Sequence, residues 1–531
     1  MKKINKIVVV GGGSAGWMTA ATLIKSFPNK EIVVIESPLF ETVGVGESTL
    51  GGIKEWLNIL DIDEKDFMEH CNAVYKMSIK FTDFYKKDHG SFHYPFGQPY
   101  LQGTFNGLND WYVKKVVDPD LDVNDYARTF FPALTLAENN KINLNQFGTL
   151  NNFSFNRDVA YHFDATKFAL WLKNNFCLPK GVTLIQDSVE SVNVDKDGVS
   201  NLLLKSGVLI TGDLFIDCTG WKSMLLGEAL EEPFEDFSHV LPNNRAWATR
   251  IPYTDIESEM EPFTNCTAIG NGWVWNIPIW DRIGTGYVYS DKYITPEGAL
   301  NEFKDYLRSN KMKVINKDRD VDSFEYKDIQ FRVGIHKRTW VKNVVAIGLS
   351  AGFIEPLESN GLFTIHEFLN KLVKSLSRES YTQWDRDAYN MITKRQYLAF
   401  KEFVEMHYAL SNRDDTSYWR DVTEREYQPN VASLTPYSQI GFQDLADRKL
   451  SQNRYDSSGG IHCIAVGMNY FPVDENVIKT WKHYDLVDYI SLCEPVFKRW
   501  EENKKNWQYE SDISPTMYKY LKEKIYNDKD E

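Results

Sequence analysis

The feature that most constrains the fold is a glycine cluster at residues 11–16, GGGSAG, which lies between an apolar segment and a helical one. Residues 6–10, KIVVV, predict a buried strand, and apolar residues at helical spacing predict a helix over residues 14–27. A second apolar run at residues 31–35 predicts another strand. Strand, glycine turn, helix and strand in this order predict a βαβ unit of a parallel sheet.

The spacing of the glycines matches GxGxxG, the pattern of dinucleotide-binding turns. The first glycine permits a tight turn, the second lets the backbone approach a pyrophosphate, and the third lets the helix pack on the strand. The phosphates would lie at the positive N-terminus of the helix. Glu36 follows Gly16 by twenty residues, where an acid binds the adenosine ribose. The turn residues expected to contact the cofactor are Gly11, Gly13, Ser14, Ala15 and Gly16.

Two later segments favour FAD over NAD as the bound dinucleotide. Residues 213–220, DLFIDCTG, and residues 344–348, VVAIG, each bring a buried strand to a glycine. Strands that each end in a glycine at the same edge of the sheet suit FAD, because this long molecule needs contacts from distant parts of the chain. The sequence contains no second GxGxxG and so predicts no NAD(P)H site. Reducing equivalents would then arrive as reduced flavin from a separate reductase.

Composition excludes several other classes of protein. The formal net charge of −14 argues against broad binding to nucleic acid or anionic membranes, because such binding needs clustered Lys and Arg. No stretch approaches 18 apolar residues, and the short N-terminal apolar run ends in glycines, which predicts a soluble, cytoplasmic protein. The sequence has no CxxC pair and no HExxH motif, so we expect no metal site. The absence of GxSxG leaves a serine hydrolase without support.

Residues 75–81, YKMSIKF, alternate apolar and polar side chains. The alternation predicts a half-buried strand with Lys76, Ser78 and Lys80 on its polar face. A lysine on such a face is ordinarily solvated, with its charged end in water.

The remaining segments predict loops, sheet and helices in turn. Residues 85–150 show no clear period and predict long loops over a substrate region, whereas residues 164–176 predict a capped helix. Residues 244–290 alternate strongly and predict an antiparallel sheet. Thr295 and Pro296 predict the cap and first residue of another helix, and the chain from about residue 375 predicts helices.

Together these elements predict an α/β fold, in which a Rossmann-like FAD-binding module of the monooxygenase type is interleaved with an antiparallel sheet and a largely helical substrate module. The FAD-binding module would comprise residues 1–84 and 155–375. The substrate-binding module would comprise residues 85–154 and 376–531.

Five motifs spread over most of the chain resemble those of one known family, the flavin-dependent tryptophan halogenases. Together with the glycine turn they make the resemblance highly specific. The motifs are GVGE at residues 44–47, YKMSIKF at 75–81, WVWNIP at 273–278, EPLES at 355–359 and NRDDTSYW at 412–419.

The resemblance implies a two-component enzyme that uses FADH2 from a flavin reductase, O2 and a halide ion (chloride, bromide or iodide). In such enzymes a flavin hydroperoxide oxidises the halide to hypohalous acid, which travels to a lysine and halogenates an aromatic small molecule. Lys76 is the implied catalytic lysine, and Lys80 is its less favoured neighbour. Glu358 would lie beside Lys76, stabilise the cationic arene and accept its proton. The alternative is that Glu358 only belongs to a helix-initiating turn with Ser359 or Asn360 as cap.

Other roles are implied in the same way. Asn360 and Gly361 would bind halide through free N–H groups at a helix start. Trp273 and Trp275 would keep substrate away from the flavin, the alternative being that both only fill core. Further flavin contacts would come from Glu47, Val189, Leu349 and Leu362.

The substrate site departs from the family pattern. Relatives often carry a Phe-Tyr-His-Pro-Phe run whose His and second Phe sandwich the indole. Here the run is FHYPF at residues 92–96, which leaves Tyr94 and Phe96 as the candidate substrate contacts. The tyrosine pair that holds the amino acid in several relatives is also not evident at residues 430–460. A smaller indole, a phenol or another electron-rich arene therefore suits the sequence better than free tryptophan.

Two rival interpretations remain at this point, an FAD-dependent aromatic hydroxylase and a redox-silent flavin-binding interaction module. The WxWxIP motif and the position of Lys76 count against the hydroxylase. A homo-oligomer is compatible with either interpretation.

Overall fold

The computed structural model describes residues 3–39, 47–104, 109–143, 150, 153–309, 320–378, 380–427, 458–470 and 486–526. The chain forms two compact units, each assembled from separate parts of the sequence. The first unit comprises Met1–Ala73, His162–Arg245 and Ile329–Lys401. The second unit comprises Val74–Tyr161, Ala246–Asp328 and Glu402–Glu531.

The strands of the described chain are mostly short and belong to several sheets. They are β1 (Lys6–Val10), β2 (Glu31–Glu36), β3 (Glu47–Ser48), β4 (Val74–Lys76), β5 (Ser78–Thr82), β6 (Ser91–Pro95), β7 (Ala160–Phe163), β8 (Thr183–Gln186), β9 (Val189–Asp195), β10 (Gly198–Leu204), β11 (Leu209–Ile210), β12 (Leu214–Asp217), β13 (Phe234–Asp236), β14 (Arg245–Ile251), β15 (Phe263–Ile269), β16 (Gly272–Ile279), β17 (Arg282–Tyr289), β18 (Lys327–Gln330), β19 (Gly334–His336), β20 (Trp340–Val341), β21 (Val344–Ala346) and β22 (Gly352–Phe353).

The helices range from single turns to more than seven turns. They are α1 (Ser14–Ser26), α2 (Gly52–Ile59), α3 (Glu64–Cys71), α4 (Asn109–Val117), α5 (Asn124–Phe130), α6 (Pro132–Glu138), α7 (Phe155–Asp158), α8 (Ala165–Trp171), α9 (Ile256–Glu259), α10 (Pro296–Arg308), α11 (Asn360–Leu376), α12 (Gln383–Ala409), α13 (Ser417–Glu424), α14 (Ser458–Gly467), α15 (Leu486–Ile513) and α16 (Met517–Lys524).

The first unit is built on a sheet with the strand order β20-β21-β12-β1-β2-β8. Strand β1 lies inside this sheet and pairs in parallel with β2 on one side and β12 on the other. Its residues Ile7, Val8 and Val9 are buried because helices cover a parallel sheet on both faces. The predicted βαβ unit is confirmed, with α1 ending one residue earlier than expected and β2 extending to Glu36.

The second unit contains a larger sheet with the order β18-β14-β17-β16-β15-β5-β6. Strands β15, β16 and β17 pair antiparallel as predicted, whereas β5 joins β15 in parallel. This sheet explains a difference from the predicted modules: residues 246–328, which we placed with the FAD-binding module, pack in the second unit. Periodicity identifies a strand but does not identify the strand with which it pairs.

The predicted long loops at residues 85–150 are wrong for the described part of that segment. It contains strand β6 and helices α4, α5 and α6. Helix α6 is buried along most of its length, so its apolar residues surround the axis and show no 3.6-residue stripe. The capped helix at 164–176 is confirmed as α8, with Asp164 accepting hydrogen bonds from the N–H groups of Thr166 and Lys167, followed by a π-helical turn.

The described residues contain no helix that is long and apolar enough to cross a membrane. They also contain no group of three or more His, Cys, Asp or Glu side chains placed to bind a metal ion. The described cysteines are buried and form no disulfide with one another; they are Cys71, Cys177, Cys218, Cys266, Cys463 and Cys493.

Candidate functional site

The glycine turn, residues 11–16 of the first unit, is shaped by close backbone packing. Gly11 has a φ of +116°, and a Cβ atom there would lie 2.2 Å from the carbonyl oxygen of Cys218. A Cβ atom on Gly16 would lie 1.8 Å from the carbonyl oxygen of Gly11. Both positions therefore require glycine, because any side chain would collide with the backbone.

The middle of the same turn faces open space. A Cβ atom on Gly13 would meet nothing within 4 Å. Helix α1 begins at Ser14, and no side chain caps its first N–H groups. Free N–H groups beside open space suit an anionic ligand, because the helix dipole adds positive potential there. The turn therefore fits the pyrophosphate of FAD.

Glu36 lies against this turn at the end of β2. A Cβ atom on Gly12 would lie 2.3 Å from its side chain. One carboxylate oxygen accepts a hydrogen bond from Trp17 Nε1 at 3.2 Å, and the other forms an ion pair with Lys173. The carboxylate is thus fixed beside the glycine turn, with acceptor capacity for a ribose hydroxyl.

Residues 344–348, where strand β21 leads to Gly348, lie against the glycine turn. Gly348 follows β21 with a φ of +67°, and a Cβ atom there would lie 2.9 Å from the Cβ of Ala15. The next residue, Leu349, is partly exposed. Leu362, by contrast, is buried on α11. The structure brings the glycine turn and the segment around Gly348 together, because β21 pairs in parallel with β12 and β12 pairs in parallel with β1.

Val189 reaches this region from another sheet. It starts β9 directly after Ser188, whose hydroxyl shares a 2.8 Å hydrogen bond with the hydroxyl of Ser37. Ser37 is the residue after Glu36, so Val189 begins its strand close to the carboxyl end of β2.

The start of α11 is buried but lacks a side-chain cap. Glu358 and Asn360 are both nearly inaccessible, and the Nδ2 of Asn360 has no hydrogen-bond partner among the described residues. Ser359 occupies the cap position with a φ of +56°, yet its hydroxyl contacts that of Ser48 at 2.9 Å. A Cβ atom on Gly361 would meet nothing within 4 Å. Ser359 therefore occupies the cap position, one of the two residues named in the helix-initiating alternative, but its side chain does not cap the helix N–H groups.

Burial shifts the pKa values of Glu47 and His366 in the first unit. Burial raises the pKa of Glu47 to about 7 from 4.5. Burial lowers the pKa of His366 to about 4 from 6.5, against the smaller opposing effect of Glu367. Both shifts favour the neutral form, because an ion loses hydration inside the protein. Residues 44–46, the rest of the GVGE motif, lie outside the described residues.

In the second unit, Lys76 is completely buried at the end of β4. Its Nζ lies 4.9 Å from the ring centroid of Phe96, a cation–π distance. The ring of Tyr94 stands edge-on to Phe96 at 6.0 Å, and Phe403 stands edge-on to Tyr94 at 6.0 Å. We call these four residues the lysine pocket.

The alternative that Lys76 is solvated on the polar face of a half-buried strand is wrong. The strand breaks at Met77, whose N–H donates to the carbonyl of Pro262 at 2.7 Å and whose carbonyl accepts from the N–H of Phe96 at 2.8 Å. Neighbouring chain on both sides leaves no open face at this position. Lys80 remains partly exposed, 5.7 Å from the ring centroid of Phe263.

His93 precedes Tyr94 but has a different environment. It is buried, its Nδ1 hydrogen bonds with Ser78 Oγ at 3.0 Å, and its ring stands edge-on to Phe263. Successive residues of a strand point to opposite faces, so His93 lies away from the side occupied by Tyr94.

Trp273 and Trp275 share one face of β16, with ring centroids 6.2 Å apart. Both are buried. A Cβ atom on Gly286 of the neighbouring strand would lie 2.2 Å from the ring of Trp275, so glycine there makes room for the indole. Both interpretations of the pair, shielding of the flavin and simple filling of the core, require buried side chains, so burial does not distinguish between them.

The NRDDTSYW motif anchors the chain that follows β5. Arg413 is buried, forms two hydrogen bonds with Asp415 and donates to the carbonyl of Asp83 at 3.1 Å. Its guanidinium carbon also lies 4.4 Å from the ring centroid of Trp419. The Arg413–Asp415 pair precedes α13 and holds a loop.

A cleft of 400 Å³ also opens in the second unit, lined by residues that include Tyr85, His89 and Lys115. None of the predicted site residues lines it, so it adds nothing to their assignment.

Some residues of the two regions have no motif that could have identified them. Their contacts join positions far apart in sequence, such as the 2.7 Å hydrogen bond from Asn243 to Glu355. The residues are Lys173, Asn243, His366 and Phe403.

Comparison with known proteins agrees with this picture over most of the chain. The family model for tryptophan halogenases matches residues 6–475. A tryptophan 6-halogenase of Streptomyces toxytricini, SttH, is 34% identical over 443 residues, which cover 79% of this chain and 81% of that protein. A tryptophan 7-halogenase of Lentzea aerocolonigenes, RebH, is 33% identical over 496 residues, which cover 88% and 90%.

Solved structures match the whole chain. The apo structure of VirX1 superposes with a TM-score of 0.87 at 37% identity, covering 99% of this chain and 100% of that one. The crystal structure of SttH gives a TM-score of 0.86 and covers 98% and 99%. The predicted α/β fold is confirmed by these matches. The chain belongs to the flavin-dependent tryptophan halogenase family and is a flavin-dependent halogenase.

Proposed function

We propose that this enzyme halogenates an electron-rich aromatic small molecule, an indole or a phenol, with Lys76 directing hypohalous acid onto the ring. The observation that carries the proposal is the burial of Lys76 against Phe96 and Tyr94 in the lysine pocket. Desolvating an ammonium ion costs several kcal/mol, a cost that a lysine with only a surface role avoids by extending its charged end into water. A hydrogen-bond donor in an aromatic-walled site is what the chemistry requires.

FADH2 from a separate reductase would activate O2, and O2 would supply the oxidising equivalents that convert a halide ion to hypohalous acid. Gly13, Ser14 and the N-terminus of α1 would hold its pyrophosphate, and Glu36 would accept a ribose hydroxyl. Gly11, Gly16 and Ala15 would shape the turn. The remaining contacts would come from Glu47, Val189, Leu349 and Leu362.

The halide would bind at the start of α11. Support comes from the uncapped N–H groups beside Gly361 and from the buried Nδ2 of Asn360, which has no hydrogen-bond partner in the described part of the chain. An anion is favoured there by the helix dipole as well as by these donors.

Lys76 would donate a hydrogen bond to the oxygen of hypohalous acid. The arene then attacks the halogen, the carbon–halogen bond forms, and the oxygen–halogen bond breaks with its electron pair going to oxygen. The oxygen leaves as water after taking up a proton. Glu358 would accept the ring proton and restore aromaticity, a role that suits a buried carboxylate.

The aromatic substrate would lie against Tyr94 and Phe96. SttH and RebH are tryptophan halogenases, which makes an indole the first substrate class to test. Free tryptophan is less suited, because Tyr94 occupies the position of the indole-stacking histidine and His93 is already engaged with Ser78. Most of residues 430–460, where relatives hold the amino acid, lies outside the described residues, which stop at residue 427 and resume at residue 458.

Trp273 and Trp275 would wall off the flavin, so that the oxidant reaches the arene only as hypohalous acid. This containment also protects the enzyme, because 14% of its residues are aromatic and open to halogenation.

The test is a product screen by mass spectrometry with purified enzyme, a flavin reductase, NADH, FAD, each halide, and a panel of indoles, phenols and free tryptophan. We expect halogenated indole or phenol products to exceed halotryptophan. Hydroxylated product without halogenation at any halide would overturn the proposal, and a clear preference for free tryptophan would overturn its substrate part.

A further inference from the structure

Ser359 joins two elements of the first unit that carry proposed site residues. It ends the single turn Pro356–Glu358, where its N–H donates to the carbonyl of Pro356 at 3.0 Å, and it directly precedes α11. Its φ of +56° and ψ of +33° lie in the left-handed region, which is unfavourable for a residue that has a side chain. The surrounding structure must therefore hold Ser359 in this conformation.

The hydroxyl of Ser359 does not cap α11. A serine directly before a helix ordinarily has an extended backbone, and its hydroxyl accepts a hydrogen bond from an N–H group of the first turn. Here the hydroxyl instead shares a buried 2.9 Å hydrogen bond with the hydroxyl of Ser48. The first turn of α11 therefore has no side-chain cap, and its N–H groups are the ones proposed to bind halide.

Ser48 is a fixed partner for this hydrogen bond. It lies on β3, opposite His162 of β7, and is only 8% exposed, while Ser359 is 3% exposed. Because water has little access to either hydroxyl, removing that of Ser48 obliges the other to find a new partner inside the protein. For a serine in the position of Ser359, the usual cap donors are the N–H groups of Gly361 and Leu362.

We propose that Ser48 is a positioning residue for the halide site, because its hydroxyl holds Ser359 in the left-handed conformation and so prevents Ser359 from capping α11. Without the Ser48 hydroxyl, Ser359 turns to the extended conformation, caps the first turn and competes with halide for the same N–H groups. The inference rests on the proposed binding of halide at the start of α11. It makes the affinity for halide depend on a residue that is distant in sequence.

Competition gives a kinetic signature that a general disturbance of the site does not give. Halide at high concentration displaces the cap and restores the original geometry. The KM for halide therefore rises while kcat at saturating halide stays the same. Loss of packing around Glu358 would instead lower kcat at every halide concentration.

The test measures bromide-dependent halogenation by the FAD-loaded full chain, with a flavin reductase and the arene that gives most product in the screen. The variants are Ser48→Ala and the double variant Ser48→Ala/Ser359→Gly, since glycine adopts the left-handed conformation readily and has no hydroxyl. Thr393→Val is the matched control, because it removes another buried hydroxyl pair of the first unit, the 2.9 Å contact between Thr339 and Thr393. FAD affinity is measured for every variant.

We expect Ser48→Ala to raise the KM for bromide about tenfold and to change kcat less than about twofold, because bromide must displace a serine cap. The double variant should return the KM to within about twofold of the wild-type value, because no hydroxyl is left to form the cap. Thr393→Val should leave the KM unchanged.

Binding is also measured without turnover, from the anomalous scattering of bromide in crystals of the FAD-loaded wild type and of the variants at one subsaturating bromide concentration. Occupancy at the start of α11 should fall in Ser48→Ala and recover in the double variant. If the wild type binds no bromide there, the halide assignment and this inference both fall. If the wild type binds bromide and Ser48→Ala keeps its KM and occupancy, or if the double variant does not recover, only the role of Ser48 is overturned.

Discussion

The glycine turn and the lysine pocket differ in what makes each of them specific. The turn is specific because of its backbone geometry. Only glycine fits at positions 11 and 16, because a Cβ atom there would lie within 2.2 Å of a carbonyl oxygen, and Gly13 leaves space for a ligand. The pocket works through side chains, with the ammonium of Lys76 held against aromatic rings. The residues of the glycine turn are neighbours in the sequence, whereas the residues of the lysine pocket come together only because distant parts of the chain pack against each other.

The largest effect should come from the lysine pocket. Lys76→Ala should reduce halogenation about 10³-fold, because the hydrogen bond that places hypohalous acid is lost. Lys80→Ala is the matched control, because Lys80 lies on the next strand and is partly exposed. Product formation by mass spectrometry measures the loss, and FAD affinity should stay unchanged in both variants. Full activity in Lys76→Ala would remove the site assignment.

The second effect concerns His366 on α11, whose pKa is strongly lowered by burial. The pKa of His366 is about 4 in the folded chain, whereas an unfolded histidine titrates near 6.5. Between these pH values the unfolded chain binds more protons, so the free energy of unfolding falls as pH falls. The loss should reach about 3 kcal/mol at pH 4.

Urea unfolding at several pH values measures this dependence. Hydrogen exchange should show the opening first in α11 and α2, because the two helices pack together and a Cβ atom on Gly52 of α2 would lie 3.2 Å from the ring of His366. In His366→Gln the slope between pH 6.5 and 4 should flatten. An unchanged slope would mean that other groups control the acid sensitivity.

The third effect separates the glycines of the turn. Gly16→Ala should lower the free energy of unfolding by about 2 kcal/mol, because the new Cβ would collide with the carbonyl of Gly11. Gly13→Ala should leave stability almost unchanged while weakening FAD binding. Thermal unfolding and flavin fluorescence titration measure the two quantities. Equal stability loss in both variants would mean that Gly13 also serves packing.

The smallest effect concerns Lys173, the ion-pair partner of Glu36. Lys173→Met should weaken FAD binding about fivefold, roughly 1 kcal/mol, because the carboxylate is no longer held beside the turn. Lys180→Met is a suitable comparison, since Lys180 contacts the ring of Phe176 instead. Tighter FAD binding in Lys173→Met would show that the lysine competes with the ribose for Glu36.

The same contrast explains what could be predicted from sequence. The βαβ unit around the glycine turn was placed within one residue of its observed ends, because strand, turn and helix signals are all local there. The strand carrying WVWNIP was also predicted, since alternation is strong in β16.

Burial of Lys76 could not be predicted in this way. Alternation in residues 75–81 indicates one polar face, but the strand is interrupted at Met77, whose backbone bonds to Pro262 and Phe96, and β5 lies between β15 and β6. The contacts that cover Lys76 come from Phe96, twenty residues later, and the sequence contains no local signal for them. Lys173 was missed for the same reason, because nothing in its neighbourhood links it to Glu36.

The fit of Trp275 against Gly286 has a consequence for engineering this enzyme. The glycine leaves no room for a side chain while the indole is present, so the two positions are coupled. A library that replaces Trp275 alone with smaller residues will create a void beside a bare backbone and lose stability with every member. A library that varies both positions, pairing a smaller residue at 275 with a larger one at 286, keeps the summed side-chain volume constant. Such a library contains stable combinations that single-site screens would discard.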